Sequence, residues 1–467
     1  MVNQVDSPFT QVAPDHLSVL EQILGAQAIS TSQADIDLHA RDQSQHEAHP
    51  AEVVIWPEDV QQVAAVLRYA NEQGIAVTPW GVGTGLEGNA IPIYGGILLS
   101  LARMTRIIAV HADDFQVTVE AGLGHVDLNA KLARYGLFFP PDPGANATIG
   151  GMLANNAAGI RTVKYGASRD NVLKIQVVLA DGRLIEAGSR SVKQASGYDL
   201  MHLFVGSEGT LGVITQATLK LVPVPPLKSA VVAAFPSVAA AVETVVEVRG
   251  SGLDPAALEL LDGVQCGILR EYSGVDLESK PTLFMEFEAT HEATLTQGLD
   301  MVRDICNEAG ATGFRATADN TERAKLWEAR HHSYETLQRA HPGQDFYITD
   351  VAVPISAYPQ LIATVERLLA ENNTPAYLTG HAGDGNMHVT FPFGDDRAYD
   401  AARTINDAVV REAIALGGTA TGEHGVGIGK RRFMREEHGD TLDVMRDIKR
   451  LLDPNGILNP GKVFPPD

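Results

Sequence analysis

Residues 78–92 read TPWGVGTGLEGNAIP, and whether these glycines open a helix or a loop decides the fold. Gly83-x-Gly85-x-x-Gly88 has the spacing of a dinucleotide-binding turn, but such a turn starts a helix. Here the glycines run into Ala90, Ile91, Pro92 and Ile93 and then Gly95-Gly96, where no helix propagates. What survives is the physics of bare backbone. Glycines with Thr84 among them expose N–H groups in a concave loop that binds phosphate oxygens without a helix. A tight turn between strands is the alternative.

Two further stretches bear on that choice. Residues 138–166, FFPPDPGANATIGGMLANNAAGIRTVKYG, combine Gly144, Gly150, Gly151 and Gly159 with Thr148, Asn155, Asn156 and small alanines. Residues 205–215, VGSEGTLGVIT, form a third such loop. Ordinary turns do not need so many bare backbones, so the three together point to one large phosphate-bearing cofactor.

The whole chain sets the limits. Its 467 residues suffice for two to three domains, and 45% hydrophobic with 20% charged residues is ordinary globular usage. A net charge of -22 argues against nucleic acid or an anionic membrane surface as partner. Cys266 and Cys306 sit in apolar, helix-like stretches and are expected as buried thiols in a reducing compartment. The N-terminal residues show neither a secretory nor a transit pattern, and no apolar run reaches membrane-span length. A cytoplasmic protein, at most peripheral to a membrane through a partner, is the expectation.

Along the chain the pattern is α+β. After an N-terminal helical lead-in (1–45), residues 46–222 are mostly short strands with two good helices. The first of these follows Pro57 with Val60, Val63, Ala64 and Leu67 on one face and Gly74 as its stop. A hairpin is expected at Asp181-Gly182. PVPP at 223–226 is the best linker. Residues 227–424 alternate strand and helix, which fits a ferredoxin-like antiparallel sheet with helices on one face. Residues 425–467 end in a helix and a turn-rich tail expected to pack back on the first domain.

In that second half, HAGDGNMHVTF (381–391) places His381 and His388 on either side of a glycine-rich turn. A strand, turn and strand would bring both imidazoles to one side of a hairpin. Glu423 and His424 stand between glycines in ATGEHGVGIGK. Two histidines and a carboxylate with one position open form a common catalytic metal site. Buried or surface histidines are the plain alternative, and a metal hydrolase is the rival of a different class, one that would have no use for the glycine loops. Asp384 and Asn386 suit either an Asx turn or an orienting role beside an imidazole.

The loops GTGLEG, PPDPGANATIGGM, NNAAG, KYG and GSEGTLGVIT resemble the FAD-binding domain of the vanillyl-alcohol oxidase and cresol methylhydroxylase superfamily. GHAGDGNMH, GEHGVGIGKR and LDPNGILNPGK resemble its D-2-hydroxy-acid dehydrogenase branch, which includes D-lactate dehydrogenase. Coverage runs from about residue 46 to 464.

That resemblance implies a two-part FAD-binding domain of the vanillyl-alcohol oxidase type with an α+β cap. Trp80, Gly81, Val82, Gly83, Thr84, Gly85 and Leu86 would cradle the pyrophosphate. Pro141, Asp142, Thr148, Gly151, Asn155 and Gly159 would lie along the isoalloxazine and ribityl side. Glu208 and Ile214 would border the adenine end, and Asn459 would reach the flavin from the tail. Relatives with covalent flavin carry a histidine in the first loop; this chain has none there, so the FAD is expected to be non-covalent.

The resemblance further implies that His381, His388 and Glu423 bind zinc or manganese and that His424 is the base. Arg330, otherwise a solvated arginine on a helix face, would hold the substrate carboxylate. The 2-hydroxyglutarate branch carries a lysine where this chain has Ile348 and a small hydroxyl residue where it has Tyr334. With Asn386, these shape the expected substrate site for a short monocarboxylate, D-lactate before D-2-hydroxyglutarate or glycolate. The electron acceptor (quinone, cytochrome, electron-transfer flavoprotein or oxygen) and the oligomeric state are not legible.

Overall fold

The computed structural model describes residues 7–466, so the first six residues of the expected lead-in, and Asp467, lie outside the described residues. The chain packs as two units. One holds residues up to 158, 167–223 and from 423 onward; the other holds 159–166 and 224–422. The short 159–166 segment thus leaves the glycine-rich half for the second unit. Glu423 and His424, placed by the sequence at the end of the cap, belong to the first.

The first unit is built on two main sheets. In the smaller, strands Val53–Ile55, Ile97–Ser100 and Val77–Trp80 run parallel, with Ile29–Ser30 antiparallel at the edge. Helix Val60–Gln73 makes the crossover that parallel strands require. It is started by the Asp59 side chain accepting from Gln62 N and stopped by Gly74 in the left-handed conformation. Val63, Val66, Leu67 and Ala70 are the buried face. The larger sheet is antiparallel, in the order Ile107–His111, Gln116–Glu120, Val213–Lys220, Val172–Val178, Leu184–Gly188, and its last pair is the hairpin at Asp181-Gly182. The tail returns to this unit: Leu458 bridges Val77, and Asn459 N donates to the Val77 carbonyl at 2.8 Å.

The second unit is one seven-stranded antiparallel sheet, in the order Gly313–Thr317, Leu227–Ala234, Thr282–Ala289, Ala257–Leu261, Tyr377–Gly380, Asn386–Phe393, Asp345–Ala352. Helices Val238–Gly250, Glu292–Glu308, Tyr358–Asn372 and Asp396–Ala415 pack together on one face. The sequence led us to expect helices on one face only. Instead Gly263–Ser273, Asn320–His331 and Ser333–Ala340 cover the other, because Ala230, Val232, Leu261 and Phe284 make that face apolar too. Within this second face lies a polar row. Residues opposite one another in an antiparallel pair share a face, so the pairs Leu261↔Thr379, Thr379↔His388 and His388↔Asp350 put His388 and Asp350 on Leu261's side. Glu259, two residues before Leu261, falls there as well.

Tyr377–Gly380 and Asn386–Phe393 are the two arms of the expected hairpin, joined by a 3-10 turn over Ala382–Asp384. Gly385 closes it with φ +70, and an added Cβ would lie 2.2 Å from the Val353 carbonyl oxygen. Gly274 has φ +62 with nothing near its Cβ position. Gly274→Ala is therefore expected to cost only the left-handed backbone penalty, about 1–2 kcal/mol. Gly385→Ala should lower the thermal unfolding midpoint clearly more, since the hairpin itself must shift.

Candidate active site

In the first unit, strand Val77–Trp80 delivers the first glycine loop into a cleft. Residues 81–86 line it, held open by close approach: a Cβ on Gly81 would meet the Thr148 hydroxyl at 2.6 Å, and one on Gly83 would meet the Trp80 ring at 2.4 Å. Helix Ile149–Asn155, capped by the Thr148 hydroxyl accepting from Gly151 N at 3.2 Å, lines the facing wall. Trp80, Thr148, Gly151, Asn155, Ile214 and Asn459 reach the cleft. Pro141 and Asp142 do not; Pro143 lines it in their place, and Asp142 stands 3.8 Å from His125. Gly159 belongs to the second unit. Glu423 and His424 line the same cleft as the glycine loops.

Glu208 lines the cleft as well and, in addition, holds a neighbouring chain segment. Its backbone is left-handed at φ 52 and its carboxylate is buried. The oxygens accept from Val426 N at 2.6 Å, Gly427 N at 2.9 Å and Asn89 Nδ2 at 2.6 Å. Asn89 Nδ2 and Asn155 Nδ2 also reach the His424 carbonyl, at 3.3 and 3.4 Å. The third glycine loop therefore clamps the segment that carries His424. Asn459 Nδ2 donates to the Glu208 and Asn89 carbonyls, and buried Lys462 donates to Asn459 Oδ1 and the Ile91 carbonyl. Burial pushes the Lys462 ammonium down to about 7, against the pull of Glu208 and Asp42.

The second unit holds two imidazole–carboxylate pairs. His381 Nδ1 lies 2.9 and 2.8 Å from the two oxygens of Glu259, and His388 Nδ1 lies 3.7 Å from Asp350 Oδ1. Both carboxylates are wholly buried. The rings meet edge to face, 5.4 Å between centroids, and a nitrogen of each lies within 4.8 Å of the other. Asp350 is held in turn by Asn386 Nδ2 at 2.7 Å and the Thr421 hydroxyl at 2.6 Å. A Cβ on Gly422 would lie 2.2 Å from Asn386 Nδ2, so only glycine lets the chain pass there on its way to Glu423. Donor chemistry and support fit a divalent cation: imidazoles with a carboxylate behind each are the usual means of orienting metal-bound histidines.

Arg330 is not the solvated arginine that was the plain alternative. It is 7% exposed, and its Nη2 donates to Glu259 Oε2 at 2.5 Å and its Nη1 to the Ser333 hydroxyl at 3.4 Å. Its buried Nε has no hydrogen-bond partner. Burial raises the pKa of Glu259, but His381 and Arg330 outweigh that and hold it below the ordinary carboxylate value. Tyr334 lies beyond the helix break at His332 and packs edge-on to Phe346 at 5.6 Å. Ile348 lies on the polar face, opposite Thr390 and two residues from Asp350. Asn386 supports Asp350 and the Val351 carbonyl, while its buried Oδ1 makes no hydrogen bond.

Residues 224–463 match the family described as FAD linked oxidases, C-terminal domain, and residues 51–188 match an FAD binding domain. The chain belongs to the FAD-linked oxidase family. A zebrafish (Danio rerio) protein named probable D-lactate dehydrogenase, mitochondrial, is 39% identical over 96% of this chain and 91% of its own length. The Arabidopsis thaliana D-lactate dehydrogenase [cytochrome] is 36% identical over 99% and 82%. Glycolate oxidase subunit GlcD of Bacillus subtilis is 33% identical over 98% of each. The fold of this FAD-linked oxidase is that of the cresol methylhydroxylase and vanillyl-alcohol oxidase group. The 4-ethylphenol oxidase of Gulosibacter chungangensis superposes with TM-score 0.79 and p-cresol methylhydroxylase with 0.78, each 17% identical and covering 98% and 97% of both chains.

Beside the first loop of the oxidase, His46 lies against Gly88 and Gly429, with its Nε2 buried and unpartnered. Burial first, then Arg432, Arg431 and Lys462, lower its pKa to about 4. The unfolded chain takes up that proton below about 6.5 while the folded one refuses it. Stability is expected to fall as pH drops from 6.5 to 4, and denaturant midpoints for His46→Gln should fall less across that window.

Proposed function

We propose that this protein oxidises D-lactate, or a slightly larger aliphatic D-2-hydroxy acid, to the 2-keto acid with non-covalent FAD. The observation that carries the reading is the presence of His424 in the cleft formed by the glycine loops, a proton acceptor beside a cradle of bare backbone. FAD, when bound, supplies the hydride acceptor. A divalent ion, zinc or manganese, held by His381, His388 and Glu423, would lower the pKa of the substrate's C2 hydroxyl.

The chain's own residues do the rest. His424 accepts the hydroxyl proton on a ring nitrogen, its backbone fixed by Asn89 and Asn155. Arg330, already charge-balanced by Glu259, anchors the carboxylate with the donor edge that the pair leaves over. Ile348 offers no cation for a second carboxylate, and an unpaired carboxylate in such a site is costly to desolvate. That favours a short monocarboxylate over D-2-hydroxyglutarate. Glycolate is the second reading, supported by the likeness to the GlcD subunits. The acceptor would be an external carrier; a cytochrome is the class named for the plant and yeast relatives. Among the described residues no helix is long and apolar enough to cross a membrane.

His424→Asn should keep its flavin and lose roughly 10²–10⁴-fold in kcat; near-normal turnover would remove His424 from the reaction. In steady-state assays kcat/KM should be far higher for D-lactate than for D-2-hydroxyglutarate, and the reverse order would refute the argument from Ile348. Chelation should abolish activity, with recovery on adding zinc or manganese.

A further inference from the structure

Glu259 touches two groups to which the proposed reaction gives a part, while having none in it itself. It sits in the Ala257–Leu261 strand, every residue of which is buried, so its charge cannot be stabilised by water. Oε2 accepts from Arg330 Nη2 at 2.5 Å, and Oε1 and Oε2 lie 2.9 and 2.8 Å from His381 Nδ1. A carboxylate has only lone pairs to offer, so the proton of the neutral imidazole belongs on Nδ1 and the lone pair on Nε2.

We propose that Glu259 is a positioning residue that fixes His381 as the Nδ1–H tautomer, its Nε2 ready for a cation, and through the same carboxylate sets the Arg330 guanidinium. One side chain would thereby tie the metal ligand to the substrate anchor. The inference rests on the reading of His381 as a ligand and Arg330 as the carboxylate anchor. Register supports it: Leu260 pairs with Gly380, so the strand carries Glu259 to the level of His381, directly after the last strand residue. The carboxylate is needed for both contacts at once. A glutamine of the same shape has one acceptor and one donor end, so it turns a donor towards one of its two partners. A glutamate that merely balanced the charge of buried Arg330 would have no need to face Nδ1 with both oxygens.

The test compares FAD-loaded wild type, Glu259→Gln and Arg330→Met, each stripped of metal and titrated with zinc and with manganese against a chromogenic chelator. Glu259→Gln should bind the ion roughly 10–100-fold more weakly and raise KM for D-lactate. Arg330→Met should raise KM while leaving metal affinity within about threefold, well below the roughly 10–100-fold range of such orienting effects. Equal affinity in Glu259→Gln and wild type would overturn the proposal alone, whereas a wild type that binds neither ion would remove the reading beneath it. Nitrogen NMR of metal-free wild type, at a pH where the ring is neutral and with His381→Asn to assign the signal, needs no folded Glu259 variant. The Nδ1–H tautomer is expected, and the Nε2–H tautomer would overturn the proposal.

Discussion

A carboxylate buried as completely as Glu259 survives in a protein interior only while its charge is answered, and the arrangement of the second unit follows from that need. Its answers are His381 and Arg330, brought from a hairpin more than a hundred residues away in sequence and from a separate helix. Removing one partner of such a buried pair typically costs about 3–5 kcal/mol, because an uncompensated charge is left behind. Strand register, the placement of the Asn320–His331 helix and the closeness of the two imidazoles are thus fixed together. Asp350, Asn386 and Thr421 repeat the device behind His388.

The first unit is governed by the opposite requirement, the removal of side chains. Its cleft walls approach so closely that Cβ atoms at Gly81 and Gly83 have no room, which leaves backbone as the surface a flat, phosphate-bearing cofactor meets. Polar side chains near the cleft are used to fix chain segments. Glu208 gathers three N–H groups from the first glycine loop and from the segment after His424, and Asn459 with Lys462 closes the tail over the same network. Oxidoreductase chemistry fits this division of labour: the cofactor carries the reaction and the protein supplies orientation.

Much of this was legible in the sequence where the signal is local. The glycine loops, the helix from Val60 to Gln73 with its cap and stop, and the 381–388 hairpin all declare themselves through spacing and turn chemistry. Glu259 and Asp350 did not, although Glu259 is the one acid in the strand ALELL and Asp350 is an acid within the mostly apolar run FYITDVAV, and that oddity is the signal that could have found them. Their partners are distant in sequence, so periodicity carries no record of them. For the same reason neither the pairing of Arg330 with Glu259 nor the helix break at His332, beyond which Tyr334 packs on Phe346, was legible. The second layer of helices was missed because a sheet apolar on both faces looks, strand by strand, like one merely well buried.

Direct reduction of one bound flavin by a D-2-hydroxy acid is the central step of the proposed reaction, and anaerobic spectroscopy of the purified protein, supplied with zinc or manganese, tests it most directly. The account predicts a yellow protein whose flavin absorbance is bleached by a stoichiometric amount of D-lactate, not by L-lactate, with pyruvate formed in equal amount. A protein that binds no FAD, or a yellow protein that no D-2-hydroxy acid bleaches, would contradict it.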